Sequence, residues 1–134
     1  MATLHFACGK NTEDLVQFIL DDLEHEKLND IERKGVDDLN VTRESEPTTG
    51  LSGEPITIAA TITLATILIP RIARIVERWM VHQQQLKELQ IVADGFSRSS
   101  AEGKALAHVA ETHSKVAISY ALEQSSKTNA KSGT

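Results

Sequence analysis

A chain of 134 residues is the size of one domain, and its 40% hydrophobic content, with one Trp, one Tyr and three Phe, makes any core aliphatic. The formal net charge of −5 at pH 7 argues against a general nucleic-acid binder, which needs a basic face to neutralise phosphate. The single cysteine, Cys8, cannot make an internal disulfide, so nothing calls for an oxidising compartment.

Residues Thr3 to Cys8 alternate loosely, with Leu4, Phe6 and Cys8 on one side, and read as a short strand. Met1 to Lys10 has no basic region followed by an apolar run, so no secretory signal is expected, and the acceptor pattern Asn40-Val41-Thr42 is expected to go unused. Gly9-Lys10-Asn11 reads as a turn. Asn11 or Thr12 caps a helix running to about Leu28, with Glu13 and Asp14 in its first turn. Leu15, Val16, Ile19, Leu20 and Leu23 form its apolar stripe, and Gln17, Asp21, Asp22 and Glu24 its polar face. Gly35 marks a break, and a second short strand is expected near Asp38 to Arg43.

Ser45 to Pro55 is rich in Ser, Thr, Gly and Pro and reads as a linker. From Ile56 to Pro70 the chain carries no charge, and the following RIARIVERWMVHQQQ keeps helical spacing, with Arg71, Arg74 and Arg78 on one face and Ile72, Ile75, Val76 and Trp79 on the other. One long helix is expected from Pro55 to Gln85, with Pro55 in its first turn and a kink at Pro70. The Thr- and Ile-rich stretch Ile56 to Thr66 also fits a buried strand. Lys87 to Phe96 reads as a strand or as the tail of that helix. Ser99-Ser100-Ala101-Glu102 is a capping box opening a helix from Ser100 to His113, with Leu106, Val109 and Ala110 inward. Val116, Ile118 and Tyr120 alternate as a last strand, and from Gln124 the Ser-, Lys- and Thr-rich chain reads as a disordered tail.

The fold class expected is α+β, a small domain of short strands around a long central apolar helix that could enter a membrane. Its segments are residues 1–44 (strand-helix-strand), 45–55 (linker), 56–85 (the long helix), 86–123 (strand-helix-strand) and 124–134 (tail). The uncharged stretch spans about 22 Å at helical rise, short of a bilayer core of about 30 Å. Extending it to Val76 brings in Arg71 and Arg74, each costing about 2.5 kcal/mol or more at depth unless it snorkels to the headgroups. Insertion in a membrane and cover by protein both stay open. A flat-lying anchor is disfavoured, because Thr57, Thr61 and Thr63 do not share one face.

Little in the sequence points to catalysis. His108 and His113 are five apart and diverge by about 140° on a helix, so they do not make a metal pair. Cys8 reads as a small buried apolar residue rather than an activated nucleophile. Asp21-Asp22 and Asp37-Asp38 are adjacent pairs whose carboxylates diverge. No phosphate-binding glycine loop or nucleophile elbow occurs. No enzyme activity, metal or cofactor is expected.

The layout, with LHFA at the start, EDLVQFILDDL as first helix and TIAATITLATILIPRIARIVERW as the second, resembles the effector-associated constant components, small bacterial proteins encoded beside NTPase-centred conflict systems. The resemblance covers roughly Thr3 to Val92 and rests on architecture and the apolar segment. It implies a non-catalytic adaptor linking a sensor or NTPase to an effector, and it transfers no functional residues. On the residues themselves, the contact set to a partner protein or membrane is Ile56, Ile58, Ile62, Leu64, Ile67, Leu68, Ile69, Ile72 and Trp79. Arg71, Arg74 and Arg78 form a basic flank toward an acidic partner or lipid headgroups. The alternative is a membrane-associated protein anchored by residues 56–76. A homo-oligomer is compatible with either, nucleic acid is not an expected partner, and the location expected is cytoplasmic or at the inner membrane.

Overall fold

The computed structural model describes residues 1–25, 27–46 and 56–121. The chain folds as α+β, with strands β1 (Ala2–Ala7), β2 (Asn40–Glu46), β3 (Ile56–Leu64), β4 (Leu89–Asp94) and β5 (Val116–Tyr120), and helices α1 (Thr12–His25), α2 (Asp30–Asp37), α3 (Ile69–Val81) and α4 (Ala101–Thr112). Short 3₁₀ turns at Gly9–Asn11 and Thr66–Leu68 lead into α1 and α3.

The expected helix from Pro55 to Gln85 is corrected in its first half. Ile56 to Leu64 is a strand, and the helix begins only at Ile69. The physical reason is β-branching. Ile56, Thr57, Ile58, Thr61, Ile62 and Thr63 lose χ1 freedom in a helix but pack well on a pleated sheet. A strand flanked by other strands also has no need of charge. Pro70 therefore falls in the first turn of α3, where its missing N–H is no loss, and it makes no mid-helix kink. Among the described residues no helix is long and apolar enough to cross a membrane.

The five strands lie in the order β2-β3-β1-β4-β5. β1 is antiparallel to both its neighbours, with Leu4 opposite Ile62 on one side and Ala93 on the other. β3 and β4 thus run parallel, one strand apart, and need the crossover that α3 supplies. β1 and β2 stand in the same relation, joined through α1 and α2. These are two interleaved split βαβ units. α4 then carries the chain to β5, which adds parallel to β4.

One face of the sheet forms the core. Leu4 and Phe6 of β1, Ile62 and Leu64 of β3, Leu89 and Ile91 of β4, and Tyr120 of β5 are buried in one cluster with Leu15 and Ile19 of α1, Ile72, Ile75 and Trp79 of α3, and Leu106 and Val109 of α4. Fully burying each such aliphatic side chain is worth about 1.5–3 kcal/mol. The alternate residues Thr3, His5, Thr61, Thr63 and Val92 lie on the other face and stay partly exposed.

Helix α2 was not expected. Asn29 caps it through a reciprocal box, its side chain accepting from the Glu32 N–H at 2.8 Å while Glu32 accepts from the Asn29 N–H at 3.2 Å. Gly35 sits inside α2 rather than breaking the chain. A Cβ there would meet Leu68 at 3.1 Å and Ala65 at 3.3 Å, so the missing side chain lets α2 lie close on the turn before α3. The cap of α4 is Ser100, whose hydroxyl accepts from Gly103 N–H at 3.0 Å. The capping box expected at Ser99 and Glu102 is shifted by one residue and is not reciprocal. Of the expected linker, Ser45 and Glu46 end β2, while residues 47–55 and the expected tail at 124–134 lie outside the described residues.

Candidate functional site

Helix α3 is the most sharply divided element of the fold. Ile69, Ile72, Ala73, Ile75, Val76, Trp79 and Met80 are buried, which points the remaining positions outward. Arg71, Arg74 and Arg78 share that outer side at the expected spacing, and with Glu77 and Val81 they line a shallow groove of about 330 Å³. Ile67 in the preceding turn is 43% exposed and Val81 at the far end is 67% exposed. Arg71, Arg74, Arg78 and Val81 thus follow one outer stripe of α3, with Ile67 exposed in the turn that precedes it.

The three arginines differ in what holds them. Arg71 lies between α3 and α2, donating through Nε to Glu32 Oε2 at 2.9 Å and through Nη2 to Oε1 at 3.3 Å, a bidentate pair whose side chains are only 17% and 13% exposed. That guanidinium, helped by the Asn29 N–H, holds the Glu32 carboxyl below its ordinary range. Arg78 donates to Asp22 of α1 at 2.6 Å. Arg74 stands between them, exposed and without a hydrogen-bond or ion-pair partner among the described residues. The side chain on the buried flank is also fixed, since the Trp79 indole N–H donates to Asp14 of α1 at 2.9 Å.

The residues expected to contact a partner or membrane take a different place. Ile62, Leu64, Leu68, Ile69, Ile72 and Trp79 are enclosed in the chain's own core, and Ile58 is partly buried. Of that set, only Ile56, at 42%, and Ile67 are substantially exposed. The basic flank is the part that reaches the surface. Sequence reading missed its acidic braces Glu32 and Asp22, and the Asn29-x-x-Glu32 spacing was the one local signal that could have placed Glu32 in a helix start.

Cys8 directly follows β1 beside a hollow of about 290 Å³ lined by Gly9, Lys10, Asn11 and residues 85–88. Burial pushes its pKa up, so the thiol stays protonated at neutral pH. The neighbouring Thr12 hydroxyl accepts from the Cys8 N–H at 3.1 Å and lies within donating distance of the Gly9 carbonyl at 2.7 Å and the Ile58 carbonyl at 3.0 Å, tying β1, α1 and β3 together. His108 and His113 do not converge. His108 is exposed and 3.8 Å from Glu77 of α3, whereas His113 caps the end of α4. Among the described residues no group of three metal-ligating side chains is placed to hold an ion.

The chain matches no family model, no curated protein and no solved structure.

Proposed function

We propose that the chain is a non-catalytic interaction module that binds an acidic segment of a partner protein along the outer face of α3. The observation that carries this reading is the outer stripe of α3, where Arg74, Arg78 and Val81 are exposed beside the braced and largely covered Arg71, on a chain whose net charge is −5. A basic strip on an acidic molecule selects by charge. Val81 adds desolvated contact where charge adds little. Arg71 and Arg78, already braced by Glu32 and Asp22, need little ordering on binding, and Arg74 supplies the cation available for a new pair. The resemblance to the effector-associated constant components supports the same role and suggests an NTPase or effector of a bacterial conflict system as the partner.

The test is quantitative capture from the native host with tagged full-length chain, its Arg74→Glu variant and a Lys104→Glu surface control. Partners of this face are retained by the control and depleted at least tenfold by Arg74→Glu, and their affinity falls with rising salt. Equal capture by all three proteins overturns the reading. Sedimentation with phosphatidylserine-containing vesicles separates the membrane alternative. Arg74-dependent binding to vesicles, with no Arg74-dependent protein captured, assigns the stripe to lipid and ends the adaptor reading.

A further inference from the structure

Helices α1 and α3 lie side by side on the sheet and run in opposite directions, since they return from the antiparallel neighbours β1 and β3. Two cross-links hold their relative height. The Trp79 indole N–H donates to Asp14, and Arg78 donates to Asp22. Both helices bury one side, and their opposite sides look away from the sheet together.

Those outward sides carry opposite charge in the same rhythm. On α3 the stripe is Arg71, Arg74, Arg78 and Val81. On α1 it is Asp14, Gln17, Asp21 and Glu24, all four exposed. Each runs in steps of three, four and three residues, the row that one helix presents to another. Arg74 on α3 and Asp21 and Glu24 on α1 are exposed charges whose side chains have no hydrogen bond or ion pair among the described residues. Charge left over on α3 is thus matched by charge left over on α1.

From this match the geometry points to a second copy of the chain as an occupant of the α3 stripe, with α1 of each copy laid on α3 of the other. The inference rests on the reading of that stripe as a carboxylate-binding face, and it names an occupant that the chain itself supplies. A twofold axis along the seam between α1 and α3 places each helix over its unlike neighbour and keeps every residue at its own height. At the height set by the two cross-links, the stripes meet in antiparallel register, with Arg74 facing Asp21 and Arg78 facing Gln17. The axis repeats each contact, so the pairing of Arg74 with Asp21 is made twice. Half-buried Phe18, one turn before Asp22 on the side that faces α3, meets its own copy and gives the charged contact an apolar centre. Helix α2 rests on the turn before α3 and reaches Arg71, which leaves Arg74, Arg78 and Val81 exposed. Laying α3 on α3 would set guanidinium against guanidinium, so the unlike pairing is selected. An acidic partner then gains the stripe by displacing the second copy.

Sedimentation equilibrium of the full chain over roughly 1–200 μM, at about 50 mM and about 500 mM salt, tests this. The expected species at low salt has twice the chain mass of 14.7 kDa, and it dissociates as salt rises. Arg74→Glu and Asp21→Lys each raise the dissociation constant at least about tenfold with the circular dichroism unchanged. An equimolar mixture of the two variants associates again, because each mixed dimer holds one native pair and one reversed pair. Should either variant fail to fold, Arg74→Gln and Asp21→Asn carry the single-variant comparison. In capture from the host, Asp21→Lys retains the Arg74-dependent partner, which separates this inference from the adaptor reading. A monomer throughout the range overturns the inference and leaves that reading standing, whereas a dimer without Arg74-dependent capture does the reverse. A dimer that Asp21→Lys leaves intact, or a mixture no tighter than its components, also overturns the inference.

Discussion

Trp79 is 2% exposed, and its indole N–H has one place to go, the Asp14 carboxylate. A buried donor that loses its acceptor costs more than the bond itself contributed, because the group has also left water. Asp14→Ala is therefore expected to lower the unfolding free energy by about 1–3 kcal/mol, read as a shifted urea midpoint with unchanged slope. Asp14→Asn keeps an acceptor and costs less. Thr12, two residues earlier in the same first turn of α1, works in the same way. Its hydroxyl is fully enclosed and joins three stretches of backbone.

At the scale of elements, the tightest fit is between α4 and the loop that precedes it. A Cβ on Gly103 would press on the Ser97 carbonyl and the backbone of Arg98, and the Gly103 carbonyl accepts the Tyr120 hydroxyl at 2.8 Å. Gly103→Ala must displace the first turn of α4 or the loop, and with it the anchor of β5. A loss of about 1–3 kcal/mol is expected, measured by thermal denaturation against Lys104→Ala, an exposed neighbour that changes little. The elements also show what a sequence makes visible. The faces of α1 and α3 were legible because burial on one side leaves a helical period in the apolar residues. β3 was legible only as the alternative reading of Ile56 to Thr66, since an uncharged run of Ile, Thr and Ala has no periodicity that separates a buried strand from a buried helix. α2 was hidden by Gly35, a helix breaker by propensity that is required here by the closeness of Leu68. The arginine stripe could be read from spacing. Its bracing by Glu32 and Asp22 could not, because those partners come from other helices far away in the chain.

For the whole molecule, acid weakens the joints between layers. Arg43 Nε donates to both Glu13 oxygens, at 2.8 and 3.1 Å, linking β2 to α1, and Arg71 to Glu32 links α3 to α2. Both glutamates are held below their ordinary pKa of 4.5, chiefly by those guanidinium hydrogen bonds. The folded pKa lies below the unfolded one, so the stability they add is present above about pH 4.5 and is lost as the pH falls through the folded value. Glu32→Gln should be less stable than the parent at pH 7, with the gap closing below pH 4.5, as followed by chemical denaturation at a series of pH values.

The position of β1 has a consequence for how the chain is made. It lies at the heart of the sheet, yet it precedes both its neighbours, since Leu4 waits for Ile62 on one side and for Ala93 on the other. On the ribosome, Leu4 and Phe6 cannot complete their strand pairings until β3 and then β4 have been made, and before that only α1 is at hand to shield them. Such distant pairings close slowly, so the nascent chain carries a sticky, half-covered segment for that interval.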